Sequence, residues 1–196
     1  MTFSVLNYGG GNLRSVTNLL ESIEANYVVI DKPEQIRKAE KIILPGQGHF
    51  GQVMQSLDKN NLTTELKTFI KAGKPYLGIC IGLQILFESS DEVPGVSGLE
   101  IFSGKCQKFA EGKVPQMGWN KLNVKNNNTF LTEEYVYFVN SYYVKTKQTE
   151  IIASTTNYYI DFVSSVSQEN LLAVQFHPEK SGKVGKKIIK RWIEYV

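Results

Sequence analysis

Cysteine and histidine are scarce in this sequence, which has two residues of each type among its 196. The two cysteines, Cys80 and Cys106, are too few for the disulfide framework of a small secreted domain. An excess of either charge is also missing, because 22 basic residues against 19 acidic ones leave a net charge of +3. A balance this close to neutral gives no argument for a nucleic-acid partner.

Long apolar runs and a cationic leader are missing as well. No stretch approaches the roughly 18 consecutive apolar residues of a membrane-spanning helix, so we expect no membrane partner. The first eight residues contain no basic side chain, so we expect no signal peptide and a cytoplasmic location. A hydrophobic share of 42% with 21% charged residues is typical of a globular protein. The length fits one domain over residues 1–196.

Short apolar runs alternate with helical patterns in the first half of the chain. The runs predict strands at residues 3–8, 27–30, 41–44 and 75–79. Apolar residues spaced three and four apart predict helices over residues 13–23, 53–57, 62–70 and 81–87. Strands that alternate with helices in this way form a parallel sheet with helices on both faces.

The second half changes character, since glycines separate short runs rich in Val, Tyr, Phe and Thr between residues 101 and 175. This pattern predicts antiparallel strands and hairpins. A helix with an apolar stripe follows over residues 183–195. The sequence therefore predicts an α/β fold, with a central, mostly parallel sheet flanked by helices and an antiparallel β-rich elaboration in the second half.

Cys80 lies in a Gly-x-Cys-x-Gly motif at residues 78–82, between a predicted strand and a predicted helix. A nucleophile in such a motif sits on a tight turn, where side chains at the flanking positions would collide with neighbouring backbone. The first turn of the helix directs unpaired N–H groups toward the sulfur, which favours a thiolate. The alternative is a small buried cysteine without a chemical role.

A thiolate nucleophile needs a general base, and the sequence offers His49 and His177. His177 follows an apolar run and precedes Pro178 and Glu179. Residues two apart in an extended chain lie on the same side, so we expect Glu179 to hold one imidazole nitrogen and leave the other for Cys80. The sequence thus favours a Cys80–His177–Glu179 triad over a surface turn at His177.

Acyl chemistry at sulfur also needs hydrogen-bond donors for the oxyanion of the tetrahedral intermediate. The amide of Ile81 directly follows the nucleophile in the sequence. A second amide can come from the loop at residues 46–48, whose two glycines tolerate unusual backbone angles. We expect these two sources to form an oxyanion hole.

Three other patterns are weaker predictors of function. Three glycines at residues 9–11 match neither the dinucleotide motif nor the P-loop motif, which favours a packing turn over a nucleotide site. The basic face of the last helix is interpreted as a solvated surface. Cys106 has no histidine or cysteine at metal-ligand spacing, so we expect no metal there.

Three motifs together resemble the class I, triad-type glutamine amidotransferases. They are Pro-Gly-x-Gly at residues 45–48, Gly-x-Cys-x-Gly-x-Gln at residues 78–84 and Gln-Phe-His-Pro-Glu at residues 175–179. Shorter stretches are similar to the glutaminase subunits of imidazole glycerol phosphate synthases, among them Tyr-Gly-x-Gly-Asn at residues 8–12 and Met-Gly-Trp-Asn at residues 117–120. The resemblance implies one amidotransferase domain over the whole chain.

The resemblance also implies a reaction and the residues that carry it. L-glutamine would be hydrolysed to glutamate and ammonia through a thioester on Cys80, with His177 as base and acid and Glu179 orienting it. The oxyanion donors map to the amides of Gln47 and Ile81. Substrate contacts map to Gly46, Gln84, Ser141 and Tyr142. Neither a cofactor nor a metal is implied.

A partner subunit is implied as well. Subunits of this kind form a heterodimer with a (β/α)8-barrel cyclase. The cyclase uses the ammonia to make imidazole glycerol phosphate and an aminoimidazole carboxamide ribonucleotide in histidine biosynthesis. The matching interface positions are Asn12, Trp119, Asn120, Tyr137 and Lys180.

Four residues depart from the usual pattern of these subunits. Gln47 stands where Val is usual, in the loop expected to supply an oxyanion donor. Gln116 and Asn140 replace common histidines, and Asn7 replaces a common Asp. The three triad residues are intact, so the implied glutaminase chemistry stands, and the departures concern activation and the identity of the partner.

Two other functions stay open at this point. Some relatives of these subunits supply ammonia to sugar-modifying amidotransferases of surface polysaccharide synthesis. A cysteine peptidase or hydrolase on a similar scaffold would use the same turn at the nucleophile, although Gln84 and the Phe-His-Pro-Glu block disfavour it. A non-catalytic module is disfavoured because the triad residues are present.

Overall fold

Eleven strands form one mixed sheet, and two more pair separately, within residues 2–125 and 128–196, which the computed structural model describes. The strands in chain order are β1 (Phe3–Leu6), β2 (Tyr27–Ile30), β3 (Ile42–Leu44), β4 (Tyr76–Ile79), β5 (Ser89–Ser90), β6 (Lys105–Lys108), β7 (Gln116–Lys121), β8 (Asn123–Val124), β9 (Tyr135–Asn140), β10 (Tyr142–Lys145), β11 (Ile152–Tyr158), β12 (Ile160–Gln168) and β13 (Leu171–Val174).

Helices connect the strands of the first half, and one long helix follows the last strand. The α-helices are α1 (Leu13–Glu21), α2 (Pro33–Lys38), α3 (Phe50–Lys59), α4 (Thr63–Lys71), α5 (Ile81–Gln84) and α6 (Gly182–Tyr195). Short 3-10 turns cover Thr149–Ile151 and Pro178–Lys180. Among the described residues, none of the helices has the length and apolar character needed to cross a membrane.

The large sheet is parallel in its first half and mainly antiparallel in its second. Strands β2, β1, β3, β4 and β13 lie side by side in parallel, so their carboxyl ends meet at one edge. From β13 the sheet continues antiparallel through β12, β10 and β6, while β11 and β8 branch from β12. Strands β7 and β9 form a separate antiparallel pair. The predicted mostly parallel sheet and antiparallel elaboration are both confirmed.

Apolar side chains fill both faces of the central sheet. Every residue of β1, β3, β4 and β13 is buried, as expected for parallel strands that helices cover on both faces. On one face, α3 and α4 contribute Leu57 and Leu66 to an apolar cluster. On the other face, α1 and α6 contribute Leu20 and Trp192. The sheet thus forms the middle layer of the fold.

Two short segments differ from the predicted elements. Strand β1 ends at Leu6 and not at residue 8, because the side chain of Asn7 accepts a hydrogen bond from the amide of Gly9 at 3.0 Å and turns the chain. Helix α2 lies in a polar stretch where hydrophobic periodicity indicates no helix. Its buried residue is Ile36, so the helix presents a single apolar side chain to the core.

The helix predicted over residues 81–87 is wrong in its length. Helix α5 ends at Gln84, and the amides of Leu86 and Phe87 then bond to carbonyls three residues back. All residues from 81 to 87 are buried. The apolar run therefore reflects burial on every side and carries no helical periodicity.

Helix α6 lies directly against the 3-10 turn Pro178–Lys180. A Cβ atom at Gly185 would lie 1.9 Å from the carbonyl oxygen of Pro178, a distance that real Cβ atoms do not reach. The amide of Gly185 also bonds to the carbonyl of Ser181 at 3.2 Å. This close approach of two backbones requires glycine at position 185.

We expect Gly185→Ala to lower the free energy of unfolding by about 1–3 kcal/mol, because its methyl group overlaps the Pro178 carbonyl and the turn must move. Unfolding in urea measures the difference from the parent chain. Lys186→Ala, at the next and exposed position, is the control and should unfold like the parent. Equal unfolding midpoints for all three chains would contradict the close packing.

Candidate active site

Cys80 occupies a strained turn between β4 and α5. Its φ of 51° and ψ of −100° lie in a region that residues other than glycine rarely adopt. A Cβ atom at Gly78 would lie 2.4 Å from the carbonyl oxygen of Gly82, and one at Gly82 would lie 2.9 Å from that of Leu44. The prediction that the flanking positions exclude side chains is confirmed.

His177 and Glu179 form a buried pair beside this turn. Nδ1 of His177 lies 2.7 Å from Oε1 of Glu179, and both side chains are 1% exposed. The contact does not arise as predicted, because β13 ends at Val174 and Glu179 lies in a 3-10 turn, not in an extended chain. The tight turn after Pro178 folds the carboxylate back onto the ring.

The imidazole of His177 is linked to Cys80 as well as to Glu179. Burial lowers the pKa of His177, but hydrogen bonds and charge interactions with Cys80 and Glu179 outweigh burial and raise it to about 10. The raised pKa favours the imidazolium at neutral pH, a form that can donate a proton. The structure thus brings the three predicted triad residues together in the order Cys80, His177, Glu179.

Strand β9 holds the backbone of His177. The amide of His177 donates to the carbonyl of Tyr137 at 2.9 Å. The amide of Tyr137 donates to Oγ of Ser181 at 3.0 Å, and that hydroxyl donates to the carbonyl of His177 at 2.7 Å. These three bonds fix the segment that carries the imidazole.

Cys80 and His177 line a cavity of about 280 Å³. This volume lies near the lower end for small-molecule pockets, so the cavity suits a ligand of amino-acid size. The predicted substrate and oxyanion residues on its wall are Gln47, Ile81, Gln84, Ser141 and Tyr142. Gly46 is buried behind the loop of Gln47, where a Cβ atom would lie 1.6 Å from the carbonyl oxygen of Ile79.

The hydroxyl of Tyr8 holds the loop that carries Gln47. It lies 3.4 Å from the carbonyl oxygen of Pro45 and 3.2 Å from that of Gln47. These carbonyls belong to the two peptides that flank the Gln47 amide, so the hydroxyl fixes the peptide between them. Burial and the nearby Cys80 raise the pKa of Tyr8 to about 12, and the hydroxyl therefore stays a donor.

The glycines at residues 9–11 fold around the Tyr8 ring. A Cβ atom at Gly10 would lie 2.9 Å from Cε2 of Tyr8, and one at Gly11 would lie 2.7 Å from its hydroxyl. Gly11 also has a φ of +81°, which favours glycine. The contacts favour the packing turn over a phosphate-binding loop.

Two residues in or next to the cavity were not predicted from the sequence as site residues. Glu92 lines the cavity, and its Oε2 accepts a hydrogen bond from the amide of Phe50 at 2.6 Å. It follows β5 in a polar stretch, where no motif marks it. Gln175 is fully buried, and its Nε2 lies 3.5 Å from Sγ of Cys80. Its place in the Gln-Phe-His-Pro-Glu motif is the signal that could have found it.

Strands β7 and β9 expose one side of their two-stranded sheet. Trp119 lies opposite Tyr137, with ring centroids 5.9 Å apart. We call this surface the aromatic face; it consists of Met117, Trp119, Tyr135 and Tyr137. Exposures of 64%, 56% and 58% for Met117, Trp119 and Tyr135 leave it largely open to solvent. Alternation along β9 puts Val139 on the same side, and Val139 lines the Cys80 cavity.

The other predicted interface positions lie around this face. Asn120 points to the opposite side of β7, and its Nδ2 donates to the carbonyl of Asn157 at 2.6 Å. Asn12 caps α1 by accepting a hydrogen bond from the amide of Ser15 at 3.4 Å. Lys180 ends the 3-10 turn against which α1 packs, and it is half-buried.

Two of the departures from the family pattern face each other. Gln116 and Asn140 are register partners across β7 and β9, and both are buried. Asn140 lines the cavity, and its Nδ2 donates to the carbonyl of Tyr142 at 3.0 Å. Within the described part of the chain, Oε1 of Gln116 and Oδ1 of Asn140 have no hydrogen-bond partner. The pair therefore places two free acceptors beside the cavity.

The remaining histidine and cysteine lie outside the cavity. His49 caps α3, where its ring accepts a hydrogen bond from the amide of Gly51 at 3.2 Å. Cys106 is buried, and burial raises the pKa of its thiol. Residues 2–125 and 128–196 contain no group of three or more His, Cys, Asp or Glu side chains that could hold a metal ion.

Comparison with known sequences identifies a family and similar proteins for this chain. The family model described as glutamine amidotransferase class-I matches residues 4–194. The imidazole glycerol phosphate synthase subunit HisH of Halalkalibacterium halodurans is 41% identical over 199 aligned positions, which cover 96% of this chain and 93% of the relative. The subunit of the same name from Thermus thermophilus is 42% identical, with 92% and 91% of the two chains covered.

Comparison with solved structures agrees on the fold. A crystal structure of a glutamine amidotransferase has a TM-score of 0.79 at 18% identity and covers 98% of this chain and 97% of that one. A structure of PurLQS from Thermotoga maritima has a TM-score of 0.77 at 20% identity and covers 99% and 98%. The predicted amidotransferase fold is confirmed. The chain belongs to the class I glutamine amidotransferase family, within its group of imidazole glycerol phosphate synthase HisH subunits.

Proposed function

We propose that the chain hydrolyses L-glutamine to glutamate and ammonia as the glutaminase subunit of an imidazole glycerol phosphate synthase. The observation that carries this proposal is the linked set Cys80, His177 and Glu179 beside a cavity of amino-acid size. Identity to HisH subunits over more than nine-tenths of the chain supports this synthase. We assign residues 1–196 to one glutaminase domain, which the family match over residues 4–194 supports.

The reaction begins when the Cys80 thiolate attacks the side-chain amide carbon of glutamine. A C–S bond forms, and the carbonyl electron pair moves onto the oxygen. His177, as the imidazolium, then donates its proton to the amide nitrogen while the C–N bond breaks, which releases ammonia and leaves a thioester. The raised pKa of His177 supports this order, because the proton is already on the ring at neutral pH.

Water then cleaves the thioester. Neutral His177 takes a proton from the attacking water, and the C–S bond breaks to give glutamate and the thiolate. Glu179, bonded to Nδ1, fixes the tautomer that leaves Nε2 free for these transfers. The amides of Gln47 and Ile81 are the proposed donors to the oxyanion in both steps. Both residues line the cavity beside Cys80, which supports the assignment.

The cavity wall suits a free amino acid. Glutamine carries an α-ammonium group, and the carboxylate of Glu92 on the wall suits that charge. The side-chain nitrogen of Gln84 donates to two groups of the protein, at 3.2 Å to the Tyr142 carbonyl and 3.0 Å to Oε1 of Gln175. We therefore expect Gln84 to offer its oxygen to the ammonium group. Ser141 lies on the same wall.

The aromatic face is the proposed docking surface for a (β/α)8-barrel cyclase. Exposed aromatic side chains and Met are enriched at the cores of protein interfaces. Val139 joins this face to the wall of the cavity, so ammonia released at Cys80 emerges next to the partner. Asn12 and Lys180, on α1 and the turn it packs against, would add polar contacts at the rim.

The observations favour this function over the two alternatives. A peptidase substrate would bring an acylated and uncharged amino group to Glu92, whose carboxylate suits the ammonium group of a free amino acid better. A subunit that supplies a sugar-modifying amidotransferase would need the same glutaminase chemistry. The triad therefore does not distinguish this partner from a cyclase. Identities of 41% and 42% to imidazole glycerol phosphate synthase subunits favour the histidine pathway.

We expect Cys80→Ser to reduce glutamine turnover by about 10³-fold or more, because a hydroxyl replaces the nucleophilic thiolate. Glutamate release by the chain in complex with its cyclase subunit measures the loss. Cys106→Ala is the control, since this second cysteine lies outside the cavity, and it should retain turnover. Undiminished glutamate release by the serine variant would rule out the thioester route.

We expect Glu179→Gln to lower the pKa of His177, because the imidazolium loses a negative charge at 2.7 Å. The ring signals of the two histidines can be followed by NMR across a pH titration. His177 in the parent should titrate well above its ordinary value of 6.5, and the variant should shift its midpoint downward. His49→Gln assigns the two signals. A His177 midpoint that is unchanged in the variant would contradict the pair.

We expect Trp119→Ala to weaken cyclase binding by about 2 kcal/mol, or roughly 30-fold in Kd, because the indole is central to the aromatic face. Titration calorimetry with the purified cyclase subunit measures the affinity. Tyr195→Ala, which truncates an aromatic side chain that is 63% exposed on α6, is the matched control and should bind normally. Equal affinities for the two variants would place the partner elsewhere.

A further inference from the structure

A chain of two side-chain amides ends at the sulfur of Cys80. Nε2 of Gln84 donates to Oε1 of Gln175 at 3.0 Å, and Nε2 of Gln175 donates to Sγ of Cys80 at 3.5 Å. Gln175 is fully buried, and Gln84 is 5% exposed. Hydrogen bonds shielded from water in this way are electrostatically stronger than exposed ones, because the local dielectric constant is low.

A backbone carbonyl fixes the direction of this chain. Nε2 of Gln84 also donates to the carbonyl oxygen of Tyr142 at 3.2 Å. A carbonyl oxygen only accepts, so the nitrogen of Gln84 must face Tyr142, and the oxygen of Gln175 must in turn face Gln84. The nitrogen of Gln175 is therefore directed at Cys80. Exchange of nitrogen and oxygen in either amide would bring two acceptors together.

The sheet holds Gln175 in place. Its backbone amide donates to the carbonyl of Ser164 at 2.8 Å, one residue beyond the end of β13. Strand β13 pairs in parallel with β4, which ends directly before Cys80. The donor and the sulfur are therefore carried by adjacent strands, and their separation does not depend on a loop.

We propose that Gln175 is a catalytic residue that donates a hydrogen bond to the Cys80 thiolate, and that Gln84 orients it. This inference rests on the proposed glutaminase reaction, whose nucleophile is that thiolate. Hydrogen bonds to ionised acceptors are roughly twice as strong as neutral ones, so the bond favours the ionised sulfur over the thiol. It also favours cleavage of the thioester, since negative charge returns to the sulfur as the C–S bond breaks.

Gln175 and His177 act on the sulfur in different ways. His177 supplies a positive charge that disappears when it gives up its proton. The amide of Gln175 does not titrate, so its donor remains while the proton moves to ammonia. The sulfur thus keeps one fixed donor beside it throughout the cycle, both as a thiolate and in the thioester.

The test compares Gln175→Met and Gln175→Glu with the parent. Methionine keeps the length of the side chain and lacks the donor, whereas glutamate still accepts from Gln84 but turns an anionic oxygen toward the sulfur. The rate of Cys80 alkylation by iodoacetamide, followed by peptide mass spectrometry as a function of pH, reports the fraction of thiolate. We expect the midpoint to rise by about one pH unit or more in the methionine variant and further in the glutamate variant.

Gln168→Glu is the matched control, because it adds the same charge at an exposed position at the end of β12. It should keep the parent's midpoint. Gln84→Met removes the orienting amide and does not change the residue that contacts the sulfur. It serves as an independent variant if the Gln175 variants do not fold. We expect it to raise the alkylation midpoint by a smaller amount. Circular dichroism identifies the variants that fold.

Glutamine turnover separates this inference from the proposed function. In the complex with the cyclase subunit, Gln175→Met should lower kcat by a larger factor than it changes KM for glutamine, because the amide contacts the sulfur directly and Gln84 keeps its bond to the Tyr142 carbonyl. If every folded variant has the same alkylation midpoint as the parent, the role of Gln175 is overturned. Glutamine hydrolysis by the parent would still support the proposed function in that case. Raised midpoints in the Gln175 variants, together with a parent chain that does not hydrolyse glutamine, would support the sulfur contact and overturn the glutaminase assignment.

Discussion

Close contact between backbone segments sets the position of the groups in the proposed reaction. A Cβ atom at Gly46 would lie 1.6 Å from the carbonyl oxygen of Ile79, and Cβ atoms at Gly78 and Gly82 would come within 2.4 Å and 2.9 Å of other carbonyl oxygens. Parallel strands β3 and β4 therefore end so close together that the loop after one touches the turn after the other. This contact brings the Gln47 loop and the amino end of α5 to the same sulfur, which neither segment achieves alone.

A buried charged pair is the second constraint, and it needs support from the surrounding structure. Removing two charges from water costs several kcal/mol per ion in general, and attraction offsets the cost only where hydrogen bonds complete the geometry. Both side chains of the pair are 1% exposed, and among the described residues Oε2 of Glu179 has no hydrogen-bond partner. The backbone hydrogen bonds to β9 and Ser181 hold the His177 segment in place. Helix α6 packs on the 3-10 turn that carries Glu179. Structure outside the three side chains thus holds the segment of His177 in place, while Cys80 and Glu179 raise the pKa of the ring.

The sequence alone predicts the fold class and the proximity of Cys80, His177 and Glu179. It does not predict features that depend on tertiary contacts. Alternating apolar runs and helical patterns predict the parallel sheet, since burial on both faces leaves a signal in the strands themselves. The contact between His177 and Glu179 is confirmed although its predicted geometry is wrong, because a 3-10 turn and an extended chain can both bring residues two apart together. Glu92 belongs to no motif, and the Tyr-Gly-x-Gly-Asn stretch gives no sign that the hydroxyl of Tyr8 holds the Gln47 loop. Both relations arise only when distant strands meet.

The two halves of the fold contribute different parts of the site. The parallel half supplies the proposed nucleophile and the proposed oxyanion donors, and the donors need helix and loop amides at strand ends. The antiparallel half supplies β9, whose main chain bonds to His177 and whose side chains form the aromatic face. A partner seated on that face therefore contacts the strand that positions the base. The pairing of β4 with β13 joins the two halves beside Cys80, and the backbone hydrogen bond from His177 to Tyr137 links this junction to β9.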